Sequence, residues 1–159
     1  TGDFVLLLGE PATGLEGSEY LAHEYDQVSG QPSINLAAEV SLQKLVVALA
    51  DDRLLVSAHD CADGGLAVAI SGYGFSGDVP SNDRWDAALF GESPSRIIVS
   101  CAPTDADVIT RRAEALGVPA ARLGTVGGNR FTIYDVLDLP LVDLIDAHTH
   151  GLNRALGMG

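Results

Sequence analysis

The stretch Ser57–Ser71, SAHDCADGGLAVAIS, constrains this chain more than any other. The apolar run Leu54-Leu55-Val56 leads into His59-Asp60-Cys61-Ala62-Asp63, then Gly64-Gly65, then an apolar segment that reads as a helix over Leu66–Ile70. A strand that gives way to a helix through a polar loop belongs to an α/β layer, where ligands gather at the strand's carboxyl end. Gly64-Gly65 permits a sharp turn and a close backbone approach, and N–H groups of the helix's first turn can accept an anion. The same residues also fit a plain turn, with Asp63 as N-cap and Asp60 satisfying nearby backbone donors.

The rest of the chain supplies the layers. Phe4–Leu8 is a continuous apolar run stopped by Gly9, as in a strand buried on both faces. Its position almost at the first residue is what a piece cut from a longer chain would show. Ser18 caps a short helix, and Gly17-Ser18 can equally present N–H and hydroxyl donors to an anion. Asn35 caps a long helix from Leu36 to about Ala50, with Glu39 favourably placed against its dipole. Leu54–Ala58 is the second strand, 72–84 an irregular connection, and Trp85–Phe90 a short helical turn.

A second polar cluster, Leu89-Phe90-Gly91-Glu92-Ser93-Pro94-Ser95-Arg96, runs directly into the strand Ile97–Cys101. A carboxylate, two hydroxyls and a guanidinium at a strand's mouth suit ribose hydroxyls and a phosphate. A Ser-Pro turn with a Glu92–Arg96 surface pair fits as well. Thr104 caps the next helix, which Gly117 and Pro119 end. Arg122–Val126 and Arg130–Tyr134, joined by Gly127-Gly128-Asn129, read as a β-hairpin. Pro140 opens a last helix whose Leu141, Leu144, Ile145, Leu152, Ala155 and Leu156 are expected to face the core, before a frayed end at 157–159. The prediction is one α/β, or α+β layered, domain over residues 1–159, with a mixed sheet of four or five strands and helices packed on it.

Composition excludes several functions. At 159 residues and 47% hydrophobic, the chain can bury one sizeable core. A formal net charge of -13 repels nucleic acid and anionic membranes, and no block of Lys or Arg offsets it. Any phosphate site must therefore rest on local backbone dipoles and a few arginines. Two cysteines, Cys61 and Cys101, make no disulfide framework and read as reduced thiols. Without a leader or an apolar run of bilayer length, the expectation is a cytoplasmic protein. His59, Asp60, His148 and His150 have metal-binding chemistry, but His148 and His150 lie two apart on a helix and point in different directions, so no metal site is expected. Cys61 beside His59 lacks an orienting third group, so no catalytic residue is assigned.

Taken together, SAHDCADGGLAVAIS, Gly2-Asp3 before an apolar strand, Leu8-Gly9, Leu15-x-Gly17-Ser18-Glu19-Tyr20-Leu21, the Glu92–Arg96 segment and Leu123-Gly124-Thr125-Val126 resemble the aminoimidazole ribonucleotide synthetase superfamily. Within it they look most like the second C-terminal-type domain of the phosphoribosylformylglycinamidine synthase synthetases. Cys61-Ala62 departs from the Val-Ser expected there, and Ser71-Gly72 stands where the helix often continues through a glutamate. The resemblance implies a ligase of purine biosynthesis. It converts formylglycinamide ribonucleotide, ATP and glutamine-derived ammonia to formylglycinamidine ribonucleotide, phosphorylating the amide oxygen and displacing the phosphate with ammonia.

On the same resemblance, Glu92, Ser93 and Pro94 match a segment that contacts the ribonucleotide in the other C-terminal-type copy. Arg96, Asp60, Asp63, Gly64, Gly65 and Ser18 complete the implied substrate-binding set. One of the family's two pseudo-symmetric sites is catalytic and the other auxiliary. ATP and magnesium belong mainly to N-terminal-type domains, so no cofactor and no activity are expected of this chain alone. The implied partners are the remaining synthetase domains of the same polypeptide and a glutamine amidotransferase, and a homodimer stays open. So do a scaffold role for the same loops and other superfamily members, namely aminoimidazole ribonucleotide synthetase, thiamine-monophosphate kinase, and selenophosphate or hydrogenase-maturation enzymes.

Overall fold

The computed structural model describes residues 1–81 and 84–157. Of the expected connection over 72–84, residues 82 and 83 lie outside them, as do 158 and 159 of the expected frayed end. The elements run β1 (Phe4–Leu8), α1 (Glu19–Tyr25), α2 (Leu36–Asp51), β2 (Ser57–Asp60), α3 (Gly65–Ile70), β3 (Phe75–Gly77), α4 (Trp85–Phe90), β4 (Ile97–Cys101), α5 (Ala106–Ala115), β5 (Ala120–Val126), β6 (Arg130–Ile133), β7 (Leu137–Pro140) and α6 (Leu141–Ala155).

Strand β1 shows why an unbroken apolar run was needed. Val5 and Leu7 pack into one hydrophobic cluster with Leu66, Ile70, Phe75, Leu89, Phe131 and Ile133. Leu6 and Leu8 point the other way, into a second cluster with Leu42, Leu45, Leu49, Ile109 and Val118. Successive strand side chains alternate between faces, so a strand covered on both must be apolar throughout. α3 and α4 therefore cover one face of the sheet, and α2 and α5 the other.

The sheet has seven strands in the order β2-β4-β1-β5-β3-β6-β7, more than the four or five expected. All neighbours are antiparallel except β3 and β6, which are parallel, so the sheet is mixed as predicted. The two extra strands are short: β3 inside the segment read as irregular, and β7 just before the last helix. Too few residues alternate in either to leave a period in the sequence.

Three local expectations are corrected. β5 and β6 exist but form no hairpin: β3 lies between them, antiparallel to β5 and parallel to β6, and the hairpin partner of β6 is β7. The second strand is Ser57–Asp60 rather than Leu54–Ala58, and as an exposed edge it places His59 and Asp60 in the strand itself. Thr104 does not cap α5, whose first turn follows Asp105 without a side-chain cap. Ser18 and Asn35 do cap α1 and α2: Ser18 accepts from the Leu21 N–H, and Asn35 from those of Ala37 and Ala38.

Helix α6 corrects a fourth expectation, since none of its residues is buried. Leu144 packs against the first cluster, while Ile145, Leu152 and Leu156 of the face assigned to the core are exposed.

Candidate functional site

Three loops converge at the mouths of β1, β2 and β4, and one carboxylate joins them. Glu92 Oε1 accepts the Glu19 N–H at 2.8 Å and the Gly64 N–H at 2.9 Å. Each donor is an orphan N–H at a helix start, where a negative group is stabilised. Glu19 is held there partly because Tyr20 stacks on Phe90, ring centroids 4.6 Å apart. Asp63 makes no side-chain cap of α3: Gly64 occupies that position, at φ 107°. An anion arriving at α3 would meet the Glu92 carboxylate already on the Gly64 N–H.

Arg96 is buried, 3% exposed, and forms no ion pair with Glu92 among the described residues. Its Nε donates to the Ser93 carbonyl at 3.2 Å and its Nη2 to the Gly91 carbonyl, so the guanidinium grips the loop that carries Glu92. Its Nη1 finds no partner among the described residues. Burial lowers the Arg96 pKa, opposed by Cys61 and Glu92 nearby. Ser95, at φ 62°, donates its hydroxyl to Glu39 Oε2 at 2.6 Å. That bond, with another from Gln43, holds the Glu39 carboxyl below its usual range.

A cavity of about 250 Å³ opens here, lined by Asp60, Cys61, Glu92, Ser93, Ser95 and Arg96, with Pro94 and Glu39 alongside. The structure thus gathers Asp60, Glu92, Ser93, Pro94 and Arg96 round one space. Gly64 joins them through Glu92, and Gly65 sits behind, where a Cβ would stand 2.7 Å from the Leu89 carbonyl oxygen. Asp63 lines a different cavity, of about 560 Å³, with His59, Asp60, Tyr73 and His148. The Ser18 hydroxyl is taken up by the chain itself, donating to the Leu15 carbonyl at 2.8 Å. The sequence reading counted Ser95 among the hydroxyls of the second polar cluster but placed Glu39 only against a helix dipole; the two lie on separate elements and meet only through the fold.

No group of three His, Cys, Asp or Glu among the described residues could hold a metal ion. His150 instead bonds Asp146 at 2.9 Å along α6. Both cysteines are free and buried. Burial pushes the Cys61 thiol up to about 11, with Arg96 opposing the shift. At about pH 8 its thiolate fraction is on the order of one in a thousand. Iodoacetamide is therefore expected to leave native Cys61 unlabelled and to label it fully in denaturant, as read by mass spectrometry. Native labelling at the rate of a free cysteine would mean that the cavity opens to solvent.

A two-faced mixed sheet with its polar loops gathered at one edge defines the class. Residues 1–136 match the family described as AIR synthase related protein, C-terminal domain, and the chain belongs to that family. It is 36% identical, over 98% of its length, to the phosphoribosylformylglycinamidine synthase subunit PurL of Anaeromyxobacter dehalogenans strain 2CP-1, and 38% identical, over 93%, to that of Thermomicrobium roseum. The chain spans only 23% and 22% of the length of those relatives. Among solved structures, T. maritima PurL complexed with FGAR shares the fold, with a TM-score of 0.72 at 20% identity over 90% of this chain and 28% of that one. No helix among the described residues is long and apolar enough to cross a membrane.

Proposed function

We propose that this chain is the C-terminal-type domain of a phosphoribosylformylglycinamidine synthase synthetase, and that the cavity bounded by Asp60 and residues 92–96 faces the ribonucleotide. The observation that carries this reading is the Glu92 carboxylate, at which the three loops implicated by the sequence meet. Both of its bonds fall on Oε1, so Oε2 is the oxygen available to a ribose hydroxyl. Arg96 borders the same space, and its charge matters there for a phosphate in a chain of net charge -13.

In the whole enzyme, ATP phosphorylates the amide oxygen of formylglycinamide ribonucleotide, and glutamine-derived ammonia displaces the phosphate. On this reading the domain's part is to bind and orient the ribonucleotide, while ATP and magnesium belong to the remaining domains; among the described residues no three His, Cys, Asp or Glu come together as a metal-binding group. The structures of T. maritima PurL complexed with FGAR and with ATP support a whole enzyme that takes both ligands, and the PurLQS structure supports one that works with partner subunits.

Glu92→Gln in the parent polypeptide tests the reading. Glutamine keeps a carbonyl oxygen for the two N–H groups and removes only the charge and the second acceptor. The expected result is a fall in kcat/KM of at least about ten-fold, ~1.4 kcal/mol, with assembly and Tm unaltered. Unchanged turnover would leave the loops a scaffold role.

A further inference from the structure

Helix α6 presents two rows of side chains. Leu144, on the inner row, packs against the core. Val142, Ile145, Thr149, Leu152 and Leu156 form the other row, at alternating spacings of three and four residues, the pattern of a helix that packs along a seam. Its apolar members stay 67%, 51%, 71% and 61% exposed. Most helical stability in proteins comes from burying such a face, and α6 buries no residue at all. The row borders the cavity that Val68, Ala69, Leu144 and Ile145 line together with His59, Asp60, Asp63 and His148, and Val68 on its far side is itself 51% exposed. Scattered exposed apolar side chains need no explanation, whereas a contiguous, periodic row marks an interface.

We propose that this row is the face on which the domain docks against the rest of a longer polypeptide. The occupant is an apolar surface with a neutral or basic rim, contributed by residues outside 1–159. Two observations select it over a second copy of this chain. First, the chain spans 23% of the length of the relative it matches over 98% of its own, so most of such a polypeptide lies elsewhere. Second, self-pairing would bring together two bodies of net charge -13. Arg154, the one Lys or Arg of α6, does little to relieve that repulsion, because Asp146 engages it at 2.6 Å. The inference rests on the reading of the chain as one domain of a larger synthetase, and is independent of which ligand that synthetase takes.

Amide hydrogen exchange on the parent polypeptide, beside the 159-residue chain with its own two clusters, tests it. Residues 141–155 are expected to exchange at least about ten-fold more slowly in the parent. Ile145→Ser with Leu152→Ser should restore fast exchange there while leaving the Tm of the 159-residue chain within about 2 °C, because both side chains are exposed in it. Equal exchange in the two proteins overturns the proposal. Protection that grows with concentration in the 159-residue chain, together with a dimer mass in sedimentation, overturns it in favour of a second copy. A parent that fails to bind formylglycinamide ribonucleotide and still protects α6 sinks the ligand reading and supports the docking face.

Discussion

Arg96→Ala is expected to destabilise the chain by about 3–5 kcal/mol, the range reached when a buried polar network is broken and a cavity is left. The guanidinium is 3% exposed and donates to the carbonyls of Ser93 and Gly91, which would lose their donors. Glu92 sits between those two carbonyls and bonds to the Glu19 and Gly64 N–H groups, so a slackened loop also loosens the starts of α1 and α3. Chemical denaturation of the 159-residue chain measures the loss. Arg96→Met separates its causes, because methionine refills much of the space without restoring either donor. A large gap between Ala and Met assigns the cost to packing, and similar losses assign it to the carbonyls. A loss below about 1 kcal/mol for Ala would mean that the guanidinium does not hold the loop.

Gly9→Ala is expected to cost about 3 kcal/mol or more and to lower Tm by about 10 °C. Gly9 has φ 105°, and a Cβ there would stand 2.1 Å from the Ser95 carbonyl oxygen. The obstacle is backbone rather than the end of a flexible side chain, so the 91–96 loop would have to move as a unit. Gly72→Ala is the control: nothing lies within 4 Å of its Cβ, and its φ is not positive. A thermal scan of both should show a large shift for the first and a small one for the second. Equal shifts would remove the argument that Gly9 is fixed by its approach to Ser95.

The β1 run was legible because both faces of that strand are covered and every position had to be apolar. The caps at Ser18 and Asn35 were legible for a different reason: an N-cap bond closes within three residues, so its signal is local. Failures came where the deciding contact was distant. Gly127-Gly128-Asn129 carries the composition of a hairpin turn, yet β3, some fifty residues earlier in the chain, takes the place between β5 and β6. For α6 the period was right and the environment was not: its apolar row exists, but no described residue of this chain covers it.

At the candidate site, the residue types and their grouping at strand mouths could be read from the sequence, and so could the family. Their relations could not. A surface ion pair between Glu92 and Arg96 and a bridge from Glu92 to two helix starts are equally compatible with the order of residues, and only burial of the guanidinium beneath its own loop selects the second. By itself the sequence determined the layered class, the strand-loop-helix at Ser57–Ser71 and the acidity that leaves few donors for a phosphate, because these depend on local periodicity and composition. Tertiary structure alone decided the strand order, the pairing of Ser95 with Glu39 and the carboxylate that ties three loops together. The side-chain bonds among these join residues 28 to 73 positions apart, and apart from the β6–β7 pair the strand neighbours are distant in sequence too, so their geometry is set by how the sheet closes rather than by any neighbour in sequence.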